Sequence, residues 1–257
     1  MSPLLSIEHV AIRFGGVTAI ADMTFSVRQG EIVSLIGPNG AGKTTAFNVI
    51  TGFLPPTSGN VFYEGRPIVG LKTHQIADLG IVRTFQKTSL FFGCSALENV
   101  IIGLHRKGRV RPWEILLGLP RVSAEKRRIQ QRAEEVLEFV GLSGRSRHLA
   151  GGLAYGEQRL LGLAVALAAE PQLLLLDEPV SGMNPTETAS FMQLLNKIHD
   201  SGITMLLVEH DMRMVMEISD RVVVLNQGKI IADGSAAEVQ QDPDVIRAYL
   251  GHGRRRA

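Results

Sequence analysis

The stretch GPNGAGKTT, residues 37–45, constrains this chain more than any other. It follows Ile32-Val33-Ser34-Leu35-Ile36, whose length and β-branched content predict a buried strand, and it leads into a segment that reads as helix from Thr44 onward. Glycines at 37, 40 and 42 free backbone N–H groups at a strand-to-helix turn. Together with the positive end of the helix dipole, those groups can surround an anion with no side chain intervening. Against the template G-x-x-x-x-G-K-[ST], Gly37, Gly42, Lys43 and Thr44 fall on every fixed position, with Pro38, Asn39, Gly40, Ala41 and Thr45 completing the loop. In such a loop the lysine reaches the β- and γ-phosphates and the Thr44 hydroxyl ligates Mg²⁺. A nucleoside triphosphate, ATP in the simplest case, is the predicted ligand; a glycine-rich turn with an incidental lysine is the plain alternative.

The rest of the chain narrows the class. At 257 residues, 45% hydrophobic and 20% charged, it has the composition of a globular protein with a substantial core. The longest apolar run, Leu160 to Ala169, is bounded by Arg159 and Glu170 and falls well short of the ~20 residues that span a bilayer. No membrane span and no signal peptide are expected. A single cysteine, Cys94, excludes an internal disulfide, has no partners at zinc-site spacing and suits a reducing compartment. The net charge of +2 hides a basic stretch, residues 105–132, with nine Arg or Lys against two Glu, and a basic end, GRRRA. A basic patch can meet nucleic acid or anionic headgroups, but a solvated face is the plainer reading. With no aromatic interleaving and no nucleic-acid motif, no nucleic-acid partner is expected.

Residues 5–35 alternate apolar and polar between GG and QG breaks and predict several short strands; 44–53 predicts a helix, and PPTSGNVFYEGRPI a loop, a strand and a turn. From about 87 to 165 the pattern turns helical, with Ile129, Ala133, Val136, Leu137 and Val140 at helical spacing. Strand–helix alternation then resumes: strands at 173–176, 203–208 and 221–225, helices at 185–200 and 211–218. This is an α/β pattern, a parallel sheet covered by helices. The strand LLLLDEP ends in two carboxylates, Asp177 and Glu178. Neighbours on a strand point to opposite faces, so in a phosphate-loop protein Asp177 is placed to hold Mg²⁺ through water and Glu178 to orient the attacking water. An acidic turn closed by a proline is the alternative.

In its motifs and their order the chain resembles the ATP-binding cassette (ABC) family of transporter ATPases over about residues 5–251. RTFQ (83–86) is similar to the glutamine loop, LAYGEQR (153–159) occupies the signature position, SGMNP (181–185) follows the Asp-Glu pair, and VEHD (208–211) supplies a switch histidine. The resemblance implies a RecA-like P-loop NTPase core with an N-terminal antiparallel β region and an inserted helical subdomain, with the core at 1–86 and 166–257 and the subdomain at 87–165. It implies Gln86 as a Mg²⁺ or water contact, His210 as the switch, and Phe14 as an adenine-stacking ring, core packing being the other reading for Phe14. The signature departs from the usual Leu-Ser-Gly-Gly-Gln: Leu153-Ala154-Tyr155-Gly156-Glu157 lacks the serine hydroxyl and keeps Gly156. LAYG, RFGG, RTFQ, EHDM and VIRAYLG together resemble the subfamily that powers branched-chain amino acid uptake, with urea or short-amide importers and exporters of lipid-linked molecules as relatives. Because the family sandwiches ATP between the phosphate loop of one subunit and the signature of another, the resemblance implies a head-to-tail dimer with a second ABC ATPase subunit. It places the chain peripherally on the cytoplasmic face of the inner membrane, with two transmembrane permeases and, indirectly, a periplasmic or extracellular solute-binding protein completing the expected assembly. A DNA- or ribosome-acting cassette would carry a long coiled-coil insertion or a second cassette, and a kinase would need neither signature nor switch.

Overall fold

A computed structural model describes residues 3–84, 90–104 and 120–250. Its predominantly apolar runs become central strands. Every residue of β3 (Ile32–Ile36), β7 (Leu173–Asp177) and β8 (Thr204–Val208) is buried. Strands covered on both faces take this continuous rather than alternating pattern. With β9 (Arg221–Asn226) and β6 (Ile81–Arg83) they form a parallel layer in the order β9-β3-β8-β7-β6.

The strands lie in register, Leu35 opposite Val208 and Val208 opposite Asp177. In a parallel sheet all carboxyl ends share one edge, and ligands bind beyond that edge. Gly37, Glu178 and Glu209-His210 therefore leave the sheet side by side.

Beside this layer lies an antiparallel region, β5 (Arg66–Pro67)-β4 (Ser58–Tyr63)-β1 (Leu5–Phe14)-β2 (Val17–Val27), joined through β10 (Lys229–Gly234), which pairs antiparallel with β9 and meets β2 at Lys229–Asp22. The several short strands expected before β3 are two long ones, of 10 and 11 residues, reversing at Gly15-Gly16. Glu8-His9 breaks the alternation without ending the strand. The pairing register shifts between Ile7 and Val10, and His9 takes φ 51, so the interruption is a bulge that bends β1.

Among the described residues all ten strands belong to one compact unit, Met1–Arg83, Gln172–Glu178 and Leu195–Ala257. The helices α1 (Lys43–Ile50) and α2 (Thr73–Asp78) follow the early strands, α7 (Met212–Ile218) follows β8, and α8 (Ala236–Gln241) and α9 (Pro243–Leu250) follow β10.

A second unit, Thr84–Pro171 with Pro179–Leu194, is helical. It holds α3 (Ala96–Leu104), α4 (Pro120–Phe139), α5 (Tyr155–Ala168) and most of α6 (Pro185–Asp200). Ala133, Val136 and Leu137 form the buried stripe of α4, as their spacing predicts, and Val100, Leu104, Leu161 and Ala164 are buried on α3 and α5. Inside this unit the buried Asn99 amide holds the turn before α3, donating to the carbonyls of Phe91 and Ser95 while its oxygen accepts from the Phe91 amide. Among the described residues no helix is long and apolar enough to cross a membrane.

Candidate nucleotide site

The phosphate loop runs from the end of β3 into α1. Gly37 leaves the strand at φ 152, where a Cβ would stand 1.9 Å from the Leu225 carbonyl oxygen of β9, so only glycine fits. Gly42 is the N-cap of α1 at φ 111 and contributes no side-chain cap, which leaves the first-turn amides of the helix without a competing acceptor. Lys43 is buried; its Nζ donates to the carbonyl oxygens of Gly37 at 2.7 Å and Pro38 at 3.1 Å. Burial lowers its pKa, and the nearby charges of Glu178 and Asp177 oppose that shift. Asn39, Gly40 and Thr44 are exposed, Pro38 and Thr45 are partly so, and Ala41 is packed in the core.

Asp177 ends β7 and is buried, its Oδ2 accepting from Arg83 Nη2 at 2.7 Å. Glu178, the next residue, leaves the strand at φ 47, in left-handed backbone rare for a side chain of its size, while its amide donates to the Val208 carbonyl at 2.8 Å. That turn points the second carboxylate away from the first. Glu178 Oε1 lies 2.9 Å from His210 Nε2. The contact joins the histidine ring directly to the carboxylate.

His210 is itself braced by its neighbours. The buried Glu209 carboxylate accepts from the His210 amide at 2.9 Å, and Asp211 caps α7 by accepting from the amides of Arg213 and Met214. The structure thus brings Lys43, Asp177, Glu178 and His210 to one edge of the first unit. Phe14, at the end of β1 in that unit, is 51% exposed, which removes the core-packing reading and leaves its ring open to a ligand. Gln86 lies outside the described residues, as do 105–119 of the basic stretch and the closing GRRRA.

The signature lies in the second unit. Ala154 is the N-cap of α5, and Glu157 Oε2 accepts from its amide at 3.0 Å. An alanine offers no return acceptor, so half of a capping box is missing. Glu157 Oε1 accepts from Arg145 Nε at 2.8 Å, and this bond, with that to the Ala154 amide, lowers its pKa. Tyr155 has a role that sequence reasoning misses. Its hydroxyl donates to the Ser181 carbonyl at 3.0 Å and accepts from Arg159 Nη2 at 2.6 Å, and its ring fills the space above Gly182, φ +80. The signature tyrosine therefore pins SGMNP, where Asn184 and Glu187 exchange amide bonds at the start of α6.

Arg83 opens RTFQ and Glu209 lies within VEHD, yet those motifs give neither residue a role. A further hint for Glu209 is a carboxylate set directly after a fully buried five-residue strand. For Arg83 the motif points to Gln86 instead, and its own partner is 94 residues away.

Known proteins resemble this chain over nearly its whole length. The family model described as ABC transporter matches residues 20–181, and one described as branched-chain amino acid ATP-binding cassette transporter matches 229–254. The high-affinity branched-chain amino acid transport ATP-binding protein LivG of Salmonella typhimurium is 43% identical over 250 residues, 97% of this chain and 98% of the relative. A crystal structure of the ADP conformation of an ATP-binding cassette of an ABC transporter superposes with a TM-score of 0.85 at 32% identity, covering 98% of this chain and 100% of that one. A dimeric cassette in a post-hydrolysis state bound to ADP and phosphate superposes with a TM-score of 0.76 at 26% identity, covering 90% of this chain and 98% of that one. A phosphate loop, an Asp-Glu strand end and a histidine on that carboxylate, in a chain so matched, belong to an ATP-hydrolysing, nucleotide-binding subunit: the chain is a member of the ABC transporter family.

Proposed function

We propose that this chain is the ATPase subunit of an importer of branched-chain or similar hydrophobic amino acids, seated peripherally on the cytoplasmic face of the membrane beneath two permeases. The observation that carries the reading is the pairing of Glu178 with His210 at 2.9 Å beside the phosphate loop, in a chain whose C-terminal residues 229–254 match the branched-chain transporter model.

Glu178 accepts a proton from, or orients, the attacking water, and His210 holds Glu178 and helps neutralise the charge that develops on the transferring phosphoryl group. Lys43 exchanges the carbonyls of Gly37 and Pro38 for phosphate oxygens, an exchange favoured because a buried ammonium gains more from an anion than from neutral carbonyls. Phe14 offers its exposed ring to adenine.

The donors fit Mg²⁺. Thr44 supplies a hydroxyl and Asp177 a carboxylate, both hard oxygen ligands, with Gln86 as a third donor by resemblance. Mg²⁺ bound through one or two such groups plus substrate phosphates needs no protein cage, and among the described residues no cluster of three or more His, Cys, Asp or Glu forms one. When bound, the ion supplies charge neutralisation on the phosphates.

One phosphate loop and one signature in a chain do not close an ATP site, so the working form is a head-to-tail dimer with a second cassette subunit, as the dimeric relative supports. In this reading the helical subdomain, residues 87–165, carries closure to the permeases, and an extracellular binding protein selects the solute. The test is purification of the tagged chain from native membranes in mild detergent. Two polytopic permeases and a second cassette subunit are expected beside it, with hydrolysis stimulated by the permeases; recovery with ribosomes or DNA instead refutes the transport reading.

A further inference from the structure

The Arg83 guanidinium sits inside the first unit between α1 and the end of β7. Nη1 donates to Asn48 Oδ1 of α1 at 2.7 Å, Nη2 donates to Asp177 Oδ2 at 2.7 Å, and the group stands 5.3 Å from the centre of the Phe47 ring. The side chains of Arg83 and Asp177 are only 7% and 6% exposed. Desolvated contacts of this kind are held far more firmly than surface pairs, and a planar fork serves two acceptors at fixed angles where a lysine ammonium is a single point.

A carboxylate has two oxygens, and Arg83 occupies one of them. We propose that Arg83 is a positioning residue for metal-assisted hydrolysis: by committing Oδ2 of Asp177 and tying it through Asn48 to the phosphate-loop helix, it leaves Oδ1 as the oxygen that serves Mg²⁺ and fixes where that oxygen stands. This rests on the assignment of Asp177 to the metal proposed above. Removing the arginine frees the carboxylate to turn, which weakens the use of Mg²⁺ while the loop amides and Lys43 still hold the phosphates. Partners that orient a metal ligand typically contribute a factor of about 10–100 in metal affinity.

The experiment compares the full-length wild-type chain with R83Q, R83K and D177N. Binding of a fluorescent ATP analogue is measured in EDTA, and Mg²⁺ is then titrated while both the fluorescence response of the bound nucleotide and the hydrolysis rate are followed. For R83Q the EDTA affinity is expected to stay within about twofold while the Mg²⁺ midpoint rises about 10–100-fold in both readouts. R83K, which keeps the charge and loses the fork, is expected between R83Q and wild type, and it gives the same reading if R83Q fails to fold. Equal losses of affinity with and without metal overturn the proposal by making Arg83 a mere support of the pocket, and an unchanged Mg²⁺ midpoint overturns it outright. D177N separates the two levels: a wild-type Mg²⁺ midpoint there refutes the metal assignment itself, whereas a shifted midpoint in D177N with none in R83Q or R83K refutes only the part given to Arg83.

Discussion

Replacing Gly37 with alanine tests whether the phosphate loop is held by steric necessity. The residue has φ 152, and an added Cβ would lie 1.9 Å from the Leu225 carbonyl oxygen and 3.0 Å from its carbon. These are backbone atoms of β9, paired to β3 through Ile36 and Val224, so neither neighbour can rotate away. Strained backbone costs about 1–3 kcal/mol and an overpacked site a further 1–3. The total, about 2–6 kcal/mol, lowers the melting temperature of a chain this size by roughly 4–24 °C, at about 2–4 °C per kcal/mol.

Gly40 is the control: at φ +79 its Cβ would meet nothing within 4 Å, so Gly40→Ala carries only the left-handed term of about 1–2 kcal/mol, or roughly 2–8 °C. Thermal unfolding of both variants without nucleotide, followed by circular dichroism, gives the comparison. Gly37→Ala is expected to melt lower than Gly40→Ala, and to bind an ATP analogue more weakly even well below its melting temperature, because the first carbonyl that holds Lys43 has moved. Equal melting temperatures, or a lower one for Gly40→Ala, would refute the argument that β9 dictates glycine at position 37.

Glu178→Gln keeps the shape of the side chain but removes the base; nucleotide binding is expected to survive while single-turnover hydrolysis falls about 10²–10⁴-fold, and near-normal turnover would take Glu178 out of the chemistry. Ala154→Ser restores the missing half of the capping box on α5, which should raise stability by about 0.5–2 kcal/mol in urea unfolding, and no gain would mean the Glu157 half already suffices. At high pH the buried Tyr63 phenol, which donates to Gln172 Oε1 at 3.3 Å, becomes the weak point, since burial and then the Glu64 charge push its pKa from 10.0 to about 12. The folded chain holds this proton more tightly than the unfolded one, so its contribution is complete below pH 10 and is lost as pH rises from 10 to about 12. Urea midpoints measured across that window should fall less steeply for Tyr63→Phe than for the wild type; identical slopes would refute the assignment.

What the sequence made legible was whatever depends on near neighbours. The phosphate loop, the apolar strands and the Asp177-Glu178 ending are local patterns, and the periodicity of α4 alone names its buried stripe. The sequence reads β1 and β2 as short because Glu8-His9 looks the same whether a strand ends or bulges; pairing with Thr24, whose hydroxyl accepts from the His9 amide, decides it. The parts of the site that escaped are those whose meaning lies in a distant partner. Arg83 is one polar residue in a short strand until the parallel sheet sets β6 beside β7 and the Asp177 carboxylate within 2.7 Å of its guanidinium. Tyr155 looks like a lost glycine in the signature until its hydroxyl is found on the Ser181 carbonyl, 26 residues on.

These two departures have a common logic. In each, a residue that a motif comparison would score as neutral or defective holds the backbone or side chain of a motif that it does score: Arg83 holds the Asp177 carboxylate, and Tyr155 holds SGMNP. The chemistry of such a site is carried by groups that the reaction demands, and those recur as motifs. The positions of those groups are set by whatever partners the fold brings near, and many side chains can do that work, so the supporting residues differ where the chemical ones agree. Substituting the supports should therefore alter how much metal or partner the reaction requires, whereas substituting Lys43 or Glu178 should abolish it, and the Mg²⁺ titration of R83Q against the turnover of Glu178→Gln sets that distinction in a single protein.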